Sequence, residues 1–196
     1  HRVSVEFEPR NEIGAICRKL NITRGPAVLF EKVKGSKMPL VSQLLATNRR
    51  LALALDCDEK DLFGDALKRS ANLISPRLVD RGPCQEVVKY GRQVDLNEFP
   101  LVTNNPDDGG RYLTAGHVIL KDPELGYNLA IYRMMCRSRN EVNLRFIPSH
   151  HGWAFLKKAE ERGRAALPVA VALGVDPAIY IASQFEPKIG ANELEI

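Results

Sequence analysis

The sequence predicts an α+β fold, with an α/β domain over residues 1–102 and a mostly antiparallel sheet, closing towards a barrel, over residues 103–196. Three observations carry that expectation. Strand-like and helix-like patterns alternate through about the first 90 residues. The run Thr103-Asn104-Asn105-Pro106-Asp107-Asp108-Gly109-Gly110-Arg111 is dense in turn formers and makes a natural seam. Beyond it, short apolar runs recur with one helix between them.

Val3-Ser4-Val5-Glu6-Phe7 alternates as a short strand that Pro9 ends. Ile13, Ile16, Cys17 and Leu20 recur at helical spacing behind Asn11, a candidate cap. Residues 26–33 read as a strand closed by Gly35, residues 40–45 as a second apolar run and residues 47–55 as a helix. An amphipathic helix is expected from Asp58 to about Ile74. Residues 83–88 and 94–96 read as short strand pieces. After the seam, strands are expected at 112–120, 127–137, 141–147, 169–173 and 179–183, with a helix at 154–162. In Gly174-Val175-Asp176-Pro177, Asp176 suits an N-cap and Pro177 the first helical position, so that motif has a structural explanation.

Composition excludes several classes. A net charge of +4, with Lys and Arg scattered, lacks the basic stripe a nucleic-acid binder needs. No apolar run approaches the ~20 residues that span a bilayer, and no signal peptide is visible, so a cytoplasmic protein is expected. Cys17, Cys57, Cys84 and Cys136 are far apart with no C-x-x-C pair, which argues against structural zinc and for free thiols in a reducing compartment. Nothing in the first half places a nucleophile, a base and an orienting group together; packing and oligomer contacts are its expected role.

Residues 128–151 hold the chemistry. An apolar run from Asn128 to Arg137, a turn at Ser138-Arg139-Asn140 and an alternating run to Ile147 read as a β-hairpin ending in Ser149-His150-His151-Gly152. Five strand steps separate Asn128 from Arg133, about 16 Å at ~3.3 Å per residue, enough to hold the phosphate of an extended nucleotide at one end and its reactive ring at the other. Strict alternation puts these two residues on opposite faces, so a bulge or bend is required.

The pattern Asn128-x-Ala130-Ile131-x-Arg133, then Ser149-His150-His151-Gly152, then Leu167-Pro168-Val169-Ala170-Val171-Ala172-Leu173-Gly174-Val175-Asp176-Pro177-Ala178, resembles the UbiD-type decarboxylases. The resemblance runs from Glu12-Ile13-Gly14-Ala15-Ile16 to Gly190-Ala191-Asn192-Glu193. It implies a split β-barrel of the flavin-reductase type over residues 103–196, binding prenylated FMN with Mn²⁺ or Mg²⁺, and K⁺ as a further ion. Members of that family are much longer, so the chain is expected to be a fragment of such an enzyme.

The resemblance also implies roles. Asn128, unusual inside a strand, and His150, favoured over His151 by the S-H-x-G register, would bind the metal, with a glutamate beyond Ile196 completing the set. Arg133 would meet the substrate carboxylate with its fork of donors; the competing reading is a surface strand arginine, as for Arg137 and Arg139. Thr114, Ala130, Ile131, Tyr132, Ser149, Ser183 and Gln184 would contact the flavin, Ala130 standing where the family often has Ser or Gly. His117 reads as a core histidine. The implied reaction is reversible, non-oxidative decarboxylation of an aromatic or α,β-unsaturated acid, releasing CO₂. The flavin would carry the hard chemistry, and a glutamate outside residues 1–196 would return the proton together with Arg133. Expected partners are the acid, a flavin prenyltransferase that supplies the cofactor and further copies of the chain, with neither nucleic acid nor membrane. Two alternatives stay open: a non-catalytic flavin-binding or assembly module, and a flavin reductase with a nicotinamide site.

Overall fold

The computed structural model describes residues 1–195. Two compact units are interleaved along the chain: residues 1–46, 76–114 and 134–143 make the first, and 47–75, 115–133 and 144 onward the second. The division expected from the sequence was sequential. The expected mixture of helices and strands holds, with three three-stranded sheets among the described residues.

In the first unit, β1 (Arg2–Phe7) runs parallel to β2 (Val28–Val33), and β3 (Leu40–Ser42) is antiparallel to β2. Alternation along β2 turns Val28 and Phe30 inward, where they form a core with Ile13, Val33 and Val102. Phe7 packs edge-on to Phe30 at 5.0 Å. Ile13 comes from α1 (Glu12–Ile22). Asn11 stands at the helix start but does not cap with its side chain: its φ is +68°, and its backbone N–H donates to the Thr103 carbonyl at 2.8 Å. The pieces expected as strands near residues 83–96 are single 3-10 turns, Pro83–Gln85, Gly91–Gln93 and Leu96–Glu98. Their residues find local i+3 partners where no strand lies alongside to pair with them.

In the second unit, β5 (His117–Asp122) lies between β6 (Gly126–Ile131) and β9 (Val169–Ala172), antiparallel to both. Val118 and Leu120 of β5 are fully buried, as are Phe155 and Ala159 of α4 (His151–Glu161). Thr47 caps α2 (Asn48–Ala54) by accepting from Arg50 N–H. The helix expected to reach residue 74 is a 3-10 turn followed by α3 (Leu62–Ser70). Ala52, Leu55 and Leu62 pack against Ala178 and Ile181.

Three expectations for the second half are corrected. The strand over 112–120 divides into β4 (Tyr112–Leu113) and β5, because Ala115 takes a positive φ of +58°. The strand over 127–137 divides at Tyr132 into β6 and β7 (Arg133–Cys136), and β7 pairs with β4 in a sheet that also contains β8 (Val142–Arg145). Residues 179–183, read as a strand for their apolar run, lie mostly in α5 (Pro177–Ala182). Asp176 Oδ1 accepts from Ala178 N–H and Pro177 opens the helix, so the capping chemistry overrides β propensity. Among the described residues, no helix is long and apolar enough to cross a membrane.

Candidate functional site

The break at Tyr132 builds the site. It supplies the bend that the Asn128–Arg133 spacing demands: Asn128 is buried on β6, Tyr132 is buried between the strands, and Arg133 opens β7 exposed to solvent. With Tyr132 four residues after Asn128, its phenol reaches back and donates to Asn128 Oδ1 at 2.9 Å. The Tyr132 hydroxyl oxygen in turn accepts the Gly152 N–H at 2.9 Å, satisfying one of the free donors in the first turn of α4. Gly152 is required there: a Cβ would stand 2.7 Å from the Tyr132 hydroxyl and from the Phe146 ring. Phe146 closes edge-on over Tyr132 at 4.8 Å. Burial pushes the Tyr132 phenol above its usual pKa, so it remains a proton donor.

On the other side of Asn128 is a carboxylate that sequence reasoning passed over. Glu193 is 5% exposed. Its Oε2 accepts from Asn128 Nδ2 at 2.8 Å and from Leu129 N–H at 2.8 Å. Its Oε1 shares a hydrogen bond with His151 Nδ1 at 2.8 Å. A buried carboxylate is costly unless so satisfied, and here three donors meet it. Glu193 is held by a 3-10 turn (Glu193–Glu195) that Asn192 starts, its Oδ1 accepting from Leu194 N–H. The exposed Glu186 reaches His151 Nε2 at 3.6 Å, so the imidazole stands between two carboxylates.

These groups line a cavity of about 190 Å³ bounded by residues 128–132, His150, His151, residues 183–186 and Glu193. Of the expected contact residues, Asn128, Ala130, Ile131, Tyr132, His150, Ser183 and Gln184 line it. Arg133 and Ser149 are exposed and do not, and Thr114 belongs to the first unit. Both members of the expected ligand pair, Asn128 and His150, line this cavity. His150 is exposed, its ring tilted against Tyr132 at 5.8 Å, whereas His151 is the imidazole that reaches Glu193. The carboxylate expected beyond Ile196 has a counterpart inside the described chain, in Glu193. His151 could have been found from its place in a helical first turn beside glycine; Glu193 carried no such signal, being one acid in a polar run.

Among the described residues, no group of three or more His, Cys, Asp or Glu side chains gathers as a metal cluster. The set that does converge is an amide, an imidazole and a carboxylate, a mixture of oxygen and nitrogen donors that suits Mn²⁺ or Mg²⁺ better than a thiophilic metal. His117, on β5, is the core histidine the sequence suggested: it is buried, packs edge-on to Tyr180 at 5.1 Å, and burial lowers its pKa.

Known proteins are similar to this chain over most of its length. The profile of the 3-octaprenyl-4-hydroxybenzoate carboxy-lyase N-terminal domain matches residues 1–70, and that of the Rift-related domain of the same carboxy-lyase matches residues 77–196. An uncharacterised protein of Synechocystis sp. is 34% identical, over 93% of this chain and 41% of that protein. Among solved structures, an evolved dimeric form of the UbiD-class enzyme HmfF from Pelotomaculum thermopropionicum, in complex with prFMN, is similar with a TM-score of 0.90 and 32% identity, over 100% of this chain and 45% of that one. Sedimentibacter hydroxybenzoicus vanillic acid decarboxylase in its closed form gives 0.91 at 30% identity, over 99% and 44%. The apo 3,4-dihydroxybenzoic acid decarboxylase of Enterobacter cloacae gives 0.88 at 31%, over 100% and 44%. The chain thus spans less than half the length of the relatives it matches. With the two profiles in order along nearly all its residues, the chain belongs to the UbiD family of 3-octaprenyl-4-hydroxybenzoate carboxy-lyases.

Proposed function

We propose that this chain carries the cation and flavin-phosphate portion of a carboxy-lyase that reversibly removes carboxylate from an aromatic or α,β-unsaturated acid. One observation supports it above the others: Asn128, His151 and Glu193, from three separate stretches, meet at one cavity with Glu193 buried and held by three hydrogen bonds. In this reading Asn128 Oδ1, the His151 imidazole and the Glu193 carboxylate hold Mn²⁺ or Mg²⁺, which neutralises the phosphate of prenylated FMN, with K⁺ as a further ion. The metal role expected of His150 passes to His151, and His150 becomes a cofactor contact with Ala130, Ile131, Ser183 and Gln184. Thr114 and Ser149 remain proposed flavin contacts. The prenylated flavin supplies the electron sink for decarboxylation. Arg133, exposed at the start of β7, offers a planar pair of donors to the substrate carboxylate. Sheet β6-β5-β9 would then be part of a split β-barrel. A flavin prenyltransferase supplies the cofactor, and further copies of the chain assemble with it.

The test is metal analysis and a visible spectrum of protein co-expressed with a flavin prenyltransferase. Wild type is expected to carry about one Mn²⁺ per flavin, as a single three-ligand site requires. Glu193→Gln and His151→Asn should lose both, while His150→Ala keeps the metal. Full Mn²⁺ in Glu193→Gln would remove the basis of the assignment.

A further inference from the structure

Tyr132 lies outside the three groups just assigned to the cation, yet it settles which way one of them faces. An asparagine side chain has two orientations of nearly equal shape, distinguished only by what its oxygen and its NH₂ meet. At Asn128 both neighbours agree. The Glu193 carboxylate can only accept, so it takes Nδ2–H. The Tyr132 hydroxyl already accepts from Gly152 N–H, which directs its own proton to Asn128 Oδ1. The chain of bonds therefore runs from the first turn of α4 through the phenol and the amide to the buried carboxylate. It leaves Oδ1, with its second lone pair, on a residue that lines the cavity.

A cation between these groups would weaken half of that arrangement. Once the Glu193 charge is shared with a metal, its hold on Nδ2–H falls, and the turned-over amide would present NH₂ to the cation. The Tyr132 proton opposes that turn, because Nδ2 offers it no acceptor. The Gly152 N–H, donating at 2.9 Å, holds the phenol oxygen in place. We infer that Tyr132 is a positioning residue that keeps Asn128 Oδ1 turned for cation binding, an inference that rests on the Asn128–His151–Glu193 reading above.

The experiment is a Mn²⁺ titration of the metal-stripped protein followed by electron paramagnetic resonance, with far-UV circular dichroism to verify folding. Tyr132→Phe is expected to weaken Mn²⁺ binding by about 10–100-fold, the usual effect of removing a group that orients a ligand. Tyr132→p-aminophenylalanine, which restores a donor, should recover most of it. Phe146→Leu, which removes ring packing but leaves the hydroxyl, should bind Mn²⁺ as wild type does. If Tyr132→Phe fails to fold, Tyr132→p-fluorophenylalanine, close in shape and without a donor, takes its place. Unchanged affinity in the donor-less variant overturns the inference, as does an equal loss in Phe146→Leu. Wild type that takes up no Mn²⁺ overturns the cation assignment itself and this inference with it, which separates the two failures.

Discussion

At the scale of single residues, this chain buries a few charges and satisfies each by a specific partner. Asp122, at the end of β5, is 4% exposed, and the Arg162 guanidinium at the end of α4 grips both its carboxylate oxygens. Backbone N–H groups of Glu124 and Leu125 donate to the same carboxylate. Arg162, with these donors behind it, holds the Asp122 pKa down to about 2, below the ~3.9 of an unfolded aspartate. Its stabilising contribution is therefore fully present above pH ~4 and is lost as the pH falls towards 2. Asp122→Asn should lower stability at pH 7 by about 3 kcal/mol, the low end of the cost of breaking a buried pair, since Arg162 keeps some access to water. The same variant should show a flatter loss of stability between pH 4 and 2 in urea titrations. An unchanged acid limb would mean the pair has no part in it. Residue-scale legibility was uneven for a physical reason. Asn128 drew attention because a polar amide is out of place in an apolar strand. Glu193 did not, because its burial is created by partners 42 to 65 residues away, and nothing near it in sequence distinguishes it from a solvated acid.

At the scale of elements, breaks matter more than the strands themselves. Periodicity made one strand of residues 127–137, yet the stop at Tyr132 is what turns Asn128 inward and Arg133 outward. The bend was deducible from the parity of the spacing; its position was not, because Tyr is a good strand residue. The helix at α4 starts three residues before the expected Ala154, which brings His151 and Gly152 into its first turn and so into the site. Gly152 should be the most sensitive position of this element. Its replacement by alanine sets a methyl 2.7 Å from both the Tyr132 oxygen and the Phe146 ring, so Gly152→Ala should cost about 1–3 kcal/mol as overpacking and weaken Mn²⁺ binding together with stability. Alanine is the better helix former, so a stabilised Gly152→Ala variant would show that the packing is looser than described.

At the scale of the whole chain, the two units are woven rather than strung: the backbone passes between them five times, at residues 46/47, 75/76, 114/115, 133/134 and 143/144. A linear reading of composition could find the α/β character and the turn-rich seam, but not this, because returns of the chain leave no mark on local pattern. The weave has a thermodynamic consequence. If one unit unfolds, the segments of the other lose fixed ends and must close loops of roughly 10 to 40 residues against chain entropy. A single cooperative transition is therefore expected. The protein contains one tryptophan, Trp153, in α4 of the second unit, so its fluorescence reports that unit alone. Phe30 is fully buried in the core of the first, and Phe30→Ala should remove about 3–5 kcal/mol. The decisive observation is where the Trp153 signal then unfolds in urea. Cooperativity predicts that its midpoint falls in step with the far-UV circular dichroism signal, although the substitution lies in the other unit. A Trp153 midpoint that stays at its wild-type value while the dichroism splits into two steps would show that each interleaved unit holds its own fold without the other.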